Sequence, residues 1–336
     1  MWRGTSGPRR PVDEFRSIAE LFAPLALPEG AGLLDDAAFI PARPGWELVV
    51  TTDAVVEGVH FLPDTPPELV ARKLLRVNLS DLAAKGAEPF GYQLAVAWPA
   101  RWGEAERTAF ARGLAQDQVA YGIGLLGGDT VSTPGPMTAS VTALGYAPEG
   151  QAVRRSGARP GDFVLVSGTI GDGWLGLEAA RGGLALPSAH LSALRARYEL
   201  PEPRTALTPI LRRYARAALD ISDGLIADLG HLARASAGGV SVQLERLPLS
   251  LGARAWVDGQ PDQAGALEAL EALATGGDDY ELAFSIAPEA WADCEAEAAQ
   301  AGVPLTVIGE VTSGGGLLVT HGGQVREPAR TGWRHG

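Results

Sequence analysis

The sequence predicts a mixed α/β (α+β) protein of two domains, on three observations. At 336 residues the chain exceeds what one hydrophobic core usually serves. Runs rich in β-branched residues alternate with helical stretches in the first half without a strict βαβ rhythm, the pattern of an α+β layer. A stretch dense in proline, glycine and charge, Pro148 to Pro160, interrupts the chain near its middle, which puts the domains at 12–150 and 151–336.

The elements follow in order. Val12 to Leu27 reads as a helix, with Asp13 and Glu14 favourable in its first turn. Gly30 to Ile40 reads as a loop carrying Asp35 and Asp36. Glu47 to Thr52 is strand-like and runs into Asp53. A helix opens at Pro66-Pro67 and continues to about Lys85, where Gly86 and Pro89 stop it. Tyr92 to Trp98 is a strand and Glu104 to Tyr121 a helix. Ile123 to Leu126 reads as a short buried strand that stops at Gly127-Gly128, with Asp129 and Thr130 at its end. Met137 to Tyr146 alternates like a strand.

The second half restarts with a strand, Asp162 to Ser167, and a glycine turn, Gly168 to Gly173. That turn could cradle a phosphate or only join strand to helix. Helices follow at Trp174–Arg181 and Ser188–Tyr198, and a third runs to Ala217 with Thr208 as N-cap and Pro209 in first position. A short strand, Ala218 to Ile221, reaches Ser222-Asp223-Gly224. Helix Leu225–Ser236, strand Val240–Leu244 and helix Ala264–Ala274 lead to Gly276-Gly277-Asp278-Asp279. Strand Tyr280–Ile286, helix Glu289–Ala301 and strands Leu305–Val311 and Leu317–Thr320 close the pattern.

Composition limits the function. Hydrophobic residues make up 46% and charged residues 20%, ordinary for a globular protein. No apolar run approaches the roughly 18 residues of a membrane span. Met1 to Pro11 has arginines but no apolar core, so it reads as a disordered lead-in rather than a signal peptide. The only cysteine, Cys294, allows no disulfide framework or zinc cluster within one chain and fits a reducing cytoplasm. A net charge of −12 argues against nucleic acid. Phosphates remain possible ligands if divalent cations lie between.

The aspartates carry the chemistry. Asp35-Asp36, Asp53, Asp81, Asp129, Asp220, Asp223 and Asp278-Asp279 stand at the edges of apolar segments, beside glycine, hydroxyl or alanine. A carboxylate there is costly to bury unless it is paired, and basic partners are scarce in the adjoining sequence. Hard oxygen ligands suit Mg²⁺, which commonly arrives with phosphate oxygens. Capping is the competing explanation for each residue singly, because aspartate is at home in turns and at helix N-termini. It does not account for so many such sites in both halves. His60, shortly after Asp53, is either a satisfied polar residue or part of a site. No P-loop, protein-kinase catalytic loop or Gly-x-Ser-x-Gly elbow is present, so Ser222 is not read as an acyl-enzyme nucleophile.

A family likeness rests on these segments in this order: Leu34-Asp35-Asp36-Ala37-Ala38, Thr51-Thr52-Asp53, Val59-His60-Phe61, Val77 to Ala87, Gly127-Gly128-Asp129-Thr130, Arg155-Ser156-Gly157-Ala158, Asp220 to Leu225 and Gly276 to Leu282. Together they resemble the thiamine-monophosphate kinases, over nearly the whole chain. The resemblance implies the two-domain architecture of aminoimidazole ribonucleotide (AIR) synthetase, selenophosphate synthetase and a hydrogenase-maturation protein. There the N-terminal sheet domains pair as a dimer and ATP lies between the domains. It implies transfer of the γ-phosphate of ATP to thiamine monophosphate. Position by position, it makes Asp36, Thr51, Thr52, Asp53, Asp81, Asp129, Asp220 and Asp223 the magnesium-linked set. Gly128, Asp129, Arg155 and Ser222 match ATP-contacting positions, and His60, Asp278 and Trp333 match positions near the thiamine substrate. This chain has Leu34 where the family often has glycine, Asp278 where it usually has glutamate, and Lys85 where methionine is common.

The implied chemistry needs several Mg²⁺ ions to offset repulsion between two anionic phosphates. It needs no strong general base, since the acceptor is already an oxyanion, and no phosphoenzyme. Related synthetases acting on selenide or maturing hydrogenase would want a reactive cysteine near one terminus, and Cys294 is not so placed. A ribonucleotide synthetase fits the motif wording less well. A non-catalytic nucleotide-binding homologue would not need every metal position filled.

Overall fold

A computed structural model describes residues 14–333. The expectations for Met1 to Pro11 and for the helix start at Val12 and Asp13 lie outside those residues. The chain divides into two compact units. One comprises the segments up to Pro44, Val50–Asn78 and Pro89–Leu144, and the other Gly45–Val49, Leu79–Glu88 and the segment from Gly145.

The expected first helix is broken into α1 (Glu14–Ser17), a π-helical turn Ile18–Phe22 and a 3-10 turn Ala23–Leu25. Pro24 explains the break, since it has no N–H to give a continuing helix. Next come β1 (Trp46–Val56), α2 (Pro67–Ala84), β2 (Glu88–Pro99), α3 (Glu104–Tyr121), β3 (Gly124–Thr133) and β4 (Thr138–Pro148). The strands form a four-stranded sheet in the order β1-β4-β2-β3, with β2 and β3 parallel. Val70, Ala71, Leu74 and Leu75 of α2 and Phe110 and Leu114 of α3 are buried at the helical period. Trp98 of β2 meets Phe110 edge-on at 5.3 Å. In α3, a Cβ on Gly113 would collide with the Glu68 carbonyl, so a glycine lets α3 approach α2.

Two expectations about strand ends are corrected. Asp53 lies inside β1, which continues to Val56. Gly127-Gly128-Asp129 is not a turn, because β3 runs through it to Thr133. Pairing with β2 keeps the backbone extended, with a register irregularity between Tyr92 and Gln93. The glycine serves close approach instead: a Cβ on Gly128 would collide with the Leu94 carbonyl oxygen of β2.

In the second unit the elements are β5 (Phe163–Ser167), α4 (Asp172–Ala180), α5 (Ser188–Glu199), α6 (Thr208–Tyr214), β6 (Ala215–Asp220), α7 (Leu225–Ala235), β7 (Gly239–Gln243), α8 (Leu251–Asp258), α9 (Gln263–Thr275), β8 (Leu282–Ile286), α10 (Trp291–Gln300), β9 (Leu305–Thr312), β10 (Gly316–His321) and β11 (Gln324–Arg326). A seven-stranded sheet runs β11-β10-β7-β9-β5-β8-β6. All neighbours are antiparallel except β10 with β7. Strand alternation divides the core between the two faces. Val164 and Val166 of β5 pack with Leu225, Leu229 and Leu232 of α7. Leu165 packs with Ile210 and Leu211 of α6 and Cys294 and Ala298 of α10.

The helix expected to reach Ala217 ends at Tyr214, because Ala215 onward pairs with β8. Thr208 is that helix's first residue and Leu207 its N-cap, so the capping role expected of Thr208 is not found. Helix α8 and strand β11 were not foreseen; they are short, at eight and three residues.

Candidate functional site

In the first unit, Pro28–Leu33 forms a 3-10 segment that packs along β3. Leu27 N–H donates to the Leu125 carbonyl at 2.7 Å, and a Cβ on Gly30 would meet the Leu126 carbonyl oxygen at 2.8 Å. This brings Asp35 and Asp36 to the polar stretch Gly127-Gly128-Asp129-Thr130. Together they line a cleft of about 420 Å³. Its floor is apolar (Ile18, Phe22, Leu33, Leu94, Leu125 and Leu126), and Gln93, Ser140 and Thr142 add polar groups. The carboxylates of Asp36 and Asp129 face it with no protein hydrogen-bond partner among the described residues.

Thr52 and Asp53 are fixed next to the residues that line the cleft. Thr52 Oγ1 donates to the Val141 carbonyl at 3.0 Å. Asp53 N–H donates to Asn78 Oδ1 at 3.0 Å, and its carbonyl accepts from Ser140 Oγ at 3.1 Å. Thr51 lies on the same strand. His60 does not line the cleft. Its Nδ1 accepts the Val56 N–H at 3.1 Å, which leaves the ring proton on Nε2, and its carbonyl accepts from Lys73 Nζ.

In the second unit, β6 delivers Asp220 and the loop Ser222-Asp223. The loop is tied from three sides. Both its N–H groups donate to Asp228 Oδ2 at 3.1 Å. The Ser222 carbonyl accepts Asp278 N–H at 2.9 Å, and the Asp223 carbonyl accepts Trp333 N–H at 2.8 Å. Asp220, Ser222, Asp223, Asp278 and Trp333 are therefore one cluster. Capping does not explain Asp223, because α7 has Gly224 as its N-cap and no side-chain cap. Asp228 is the carboxylate that sequence reading missed. Burial, and then the charge of Asp223, push it up to about 7 against the two backbone donors.

Basic partners, scarce in the adjoining sequence, are supplied by folding. Lys85 Nζ donates to the Ala218 carbonyl at 2.7 Å and lies within electrostatic reach of Asp220, Arg155 and Asp81. Burial pushes its ammonium down to about 8, with the two aspartates opposing. Arg155 also acts on Asp228 and His231. Lys85 follows Asp81 by four residues near a helix end, a spacing that could have signalled the pairing.

Two of the sequence candidates face inward instead. Asp279 is buried, and its carboxylate accepts the N–H groups of Gly171 and Gly173 at 2.8–3.0 Å. The N–H groups of Gly168 and Ile170 go to the Pro304 and Pro248 carbonyls. With these amides occupied, the glycine turn joins strand to helix and clasps Asp279; it is not a phosphate cradle.

Fit to magnesium follows from the donors. Among the described residues no three His, Cys, Asp or Glu side chains form a ready-made metal cage. The unpartnered oxygens of Asp36 and Asp129 nevertheless suit Mg²⁺, which takes one or two carboxylates and completes its shell with water and phosphate oxygens.

Similarity to known proteins spans the chain. The family model for the AIR synthase related protein N-terminal domain matches residues 34–147, and that for the C-terminal domain matches 159–322. Thiamine-monophosphate kinase of Caulobacter vibrioides is 53% identical over 329 residues, 97% of this chain and 92% of that protein. The Escherichia coli K12 enzyme of that name is 38% identical over 305 residues, 90% of each. Among solved structures, thiamine-monophosphate kinase from Stenotrophomonas maltophilia K279a superposes with a TM-score of 0.78 at 38% identity, covering 88% of this chain and 91% of that one. AaThiL complexed with AMPPCP and TMP gives 0.76 at 32% identity, covering 90% and 91%. A hydrogenase maturation protein in complex with ATP shares the fold alone, with a TM-score of 0.77 at 19% identity over 97% of this chain and 96% of that one.

Proposed function

The chain belongs to the thiamine-monophosphate kinase family, within the AIR synthase related proteins, and on that premise we propose that it transfers the γ-phosphate of ATP to the phosphate of thiamine monophosphate. The products are thiamine diphosphate and ADP. The observation that carries this reading is the cleft of the first unit, where Asp36 and Asp129 have no partner among the described residues and stand beside glycine backbone and apolar side chains. It suits a ligand with an apolar ring and an anionic, cation-bearing end.

Asp36, Thr51, Thr52, Asp53, Asp81, Asp129, Asp220 and Asp223 would hold several Mg²⁺ ions. When bound, these ions neutralise charge on the phosphate oxygens. Gly128, held against β2, would present cleft-lining backbone to the nucleotide, with Asp129 beside it. Arg155 supplies a fixed positive charge to the nucleotide, and Ser222, on its tied loop, a hydroxyl. His60, Asp278 and Trp333 meet the acceptor. A carboxylate and an exposed indole suit a cationic ring. The acceptor oxyanion attacks directly in line, with no phosphoenzyme. Radiolabelled phosphate retained on the washed, denatured protein during turnover would sink that step.

Two broader expectations belong with this reading: domains meeting near residue 150, and a cytoplasmic setting. Among the described residues no helix is long and apolar enough to cross a membrane. A homodimer through the first domain is supported by β1, the edge strand of its sheet. There Trp46, Leu48 and Val50, at alternate positions on one face, are 39%, 46% and 55% exposed. Sedimentation of Leu48→Asp as a monomer would support it, and a wild-type monomer would refute it.

The test of function is ATP consumption with Mg²⁺, with and without thiamine monophosphate, following thiamine diphosphate by fluorescence after oxidation. One-for-one formation of thiamine diphosphate and ADP is expected. ADP without thiamine diphosphate would overturn the acceptor, and the absence of both would favour a non-catalytic homologue.

A further inference from the structure

The segment Asp278 to Glu281 is held in an unusual backbone. Asp278 has φ +67° and Tyr280 has φ +51°, both in the left-handed region that disfavours residues with a Cβ. A bulky aromatic there marks a genuine outlier. The conformation persists because its neighbours are anchored. Asp279 is clasped by Gly171 and Gly173. Glu281 is fully buried and accepts from Arg197 Nη2 at 2.6 Å, from Arg204 Nε and Nη2 at 2.7 and 2.6 Å, and from Ser167 Oγ at 2.6 Å. The backbone is tied as well, with Tyr280 N–H on the Ile221 carbonyl and Ile221 N–H on the Glu281 carbonyl, both at 2.8 Å.

The result is an alternation. Asp279 and Glu281 point into the unit, while Asp278 and Tyr280 stay half-buried outside. The two outer side chains meet, with Tyr280 OH donating to Asp278 Oδ1 at 3.0 Å. The buried phenol of Tyr198 lies within electrostatic reach of the same carboxylate. The Tyr280 contact constrains one carboxylate, whose own N–H is fixed to the carbonyl of Ser222.

We propose that Tyr280 is a positioning residue: its hydroxyl orients the Asp278 carboxylate toward the bound acceptor, on a left-handed backbone that buried Asp279 and Glu281 hold in place. This rests on the reading that Asp278 meets the thiamine substrate. An aspartate swings about fewer bonds than a glutamate, so the hydrogen bond from Tyr280 narrows its rotamers further.

Tyr280→Phe tests it, because it removes only the hydroxyl and keeps the ring. The KM for thiamine monophosphate should rise about tenfold, the loss of one hydrogen bond to a charged group. The KM for ATP and the melting temperature should stay unchanged. Asp278→Gly, which accepts the left-handed φ without strain, should raise the same KM at least as much. Tyr280→Phe added to Asp278→Gly should then have no further effect. Equal effects of Tyr280→Phe in both backgrounds, or none in the wild type, would overturn the positioning role while leaving the acceptor reading intact. An unchanged KM in Asp278→Gly would overturn the acceptor reading and the inference together.

Discussion

The two acidic regions of this chain are built on opposite principles. In the first unit Asp36 and Asp129 line an open cleft, with no protein partner among the described residues and on backbone that is extended at β3. In the second, Asp220 ends β6, and Ser222, Asp223 and Asp278 sit on loops tied by backbone hydrogen bonds, with Lys85 and Arg155 close by and with two left-handed residues. The difference teaches how each is balanced. The first region depends on a ligand for charge compensation, whereas the second carries part of its compensation within the fold. Removing a carboxylate charge should therefore lower activity without lowering stability in the first region, whereas removing one of the charges balanced within the fold should shift stability in the second.

The largest expected effect tests the ligand-dependent half. Asp129→Asn should lower turnover by at least ~100-fold, the several kcal/mol that metal-assisted charge stabilisation is worth. Its melting temperature without nucleotide should hold or rise, since an unpartnered charge is removed. Asp53→Asn should lose turnover similarly. Near-normal turnover in both variants would end the metal role, and a collapsed fold in Asp129→Asn would break the comparison.

Gly128→Ala sharpens the same comparison from the backbone side. Its Cβ would overlap the Leu94 carbonyl, so β2 and β3 must part. A loss of about 1–3 kcal/mol is expected from overpacking, read by chemical denaturation. Unchanged stability would mean that the strands tolerate separation and that Gly128 is not needed for close approach.

Lys85→Met tests the internally balanced half. Lys85 is pushed down to about 8, mainly by burial. Between pH 8 and its ordinary value the folded protein binds fewer protons than the unfolded chain, so stability rises with pH across that window. Across it the rise is at most about 1.4 kcal/mol for each step of one in pH. The contribution is fully present above the ordinary lysine range and is lost as pH falls through the folded value. Lys85→Met should flatten this rise in denaturation midpoints measured from pH 8 to 10. An identical pH slope in the variant would mean that Lys85 is solvated and does not balance the aspartates.

The smallest effect concerns Cys294, away from both regions. It is a fully buried residue of α10 in the core shared with α6 and β5, and burial pushes its thiol up to about 11. Iodoacetamide should leave the native protein unlabelled at pH 8 and label it after denaturation, with mass spectrometry as the readout. Rapid native labelling would show that the second unit opens readily, against the rigidity ascribed to its loops.

Much of this protein was legible in its residues. Pro66-Pro67 at the start and Gly86 and Pro89 past the end marked the helix now found at Pro67–Ala84, because proline suits a first turn and glycine and proline stop a helix. The apolar run Phe163–Ser167 read as a buried strand, and the aspartates beside glycine marked the acidic segments. Tertiary structure decided what those segments do. Gly127-Gly128 looks like a turn in isolation and is a strand interior only because β2 lies alongside. Asp278 and Asp279 are neighbours of one residue type, yet one faces outward to Tyr280 and the other inward to glycine amides. That choice depends on φ at single residues, and no local pattern encodes it. Lys85 and Asp220 are 135 positions apart, so their charges meet only after β6 has paired into its sheet. Propensity and pattern are properties of neighbours along the chain. Charge balance, strain and close approach are properties of neighbours in space, and only the folded chain has those.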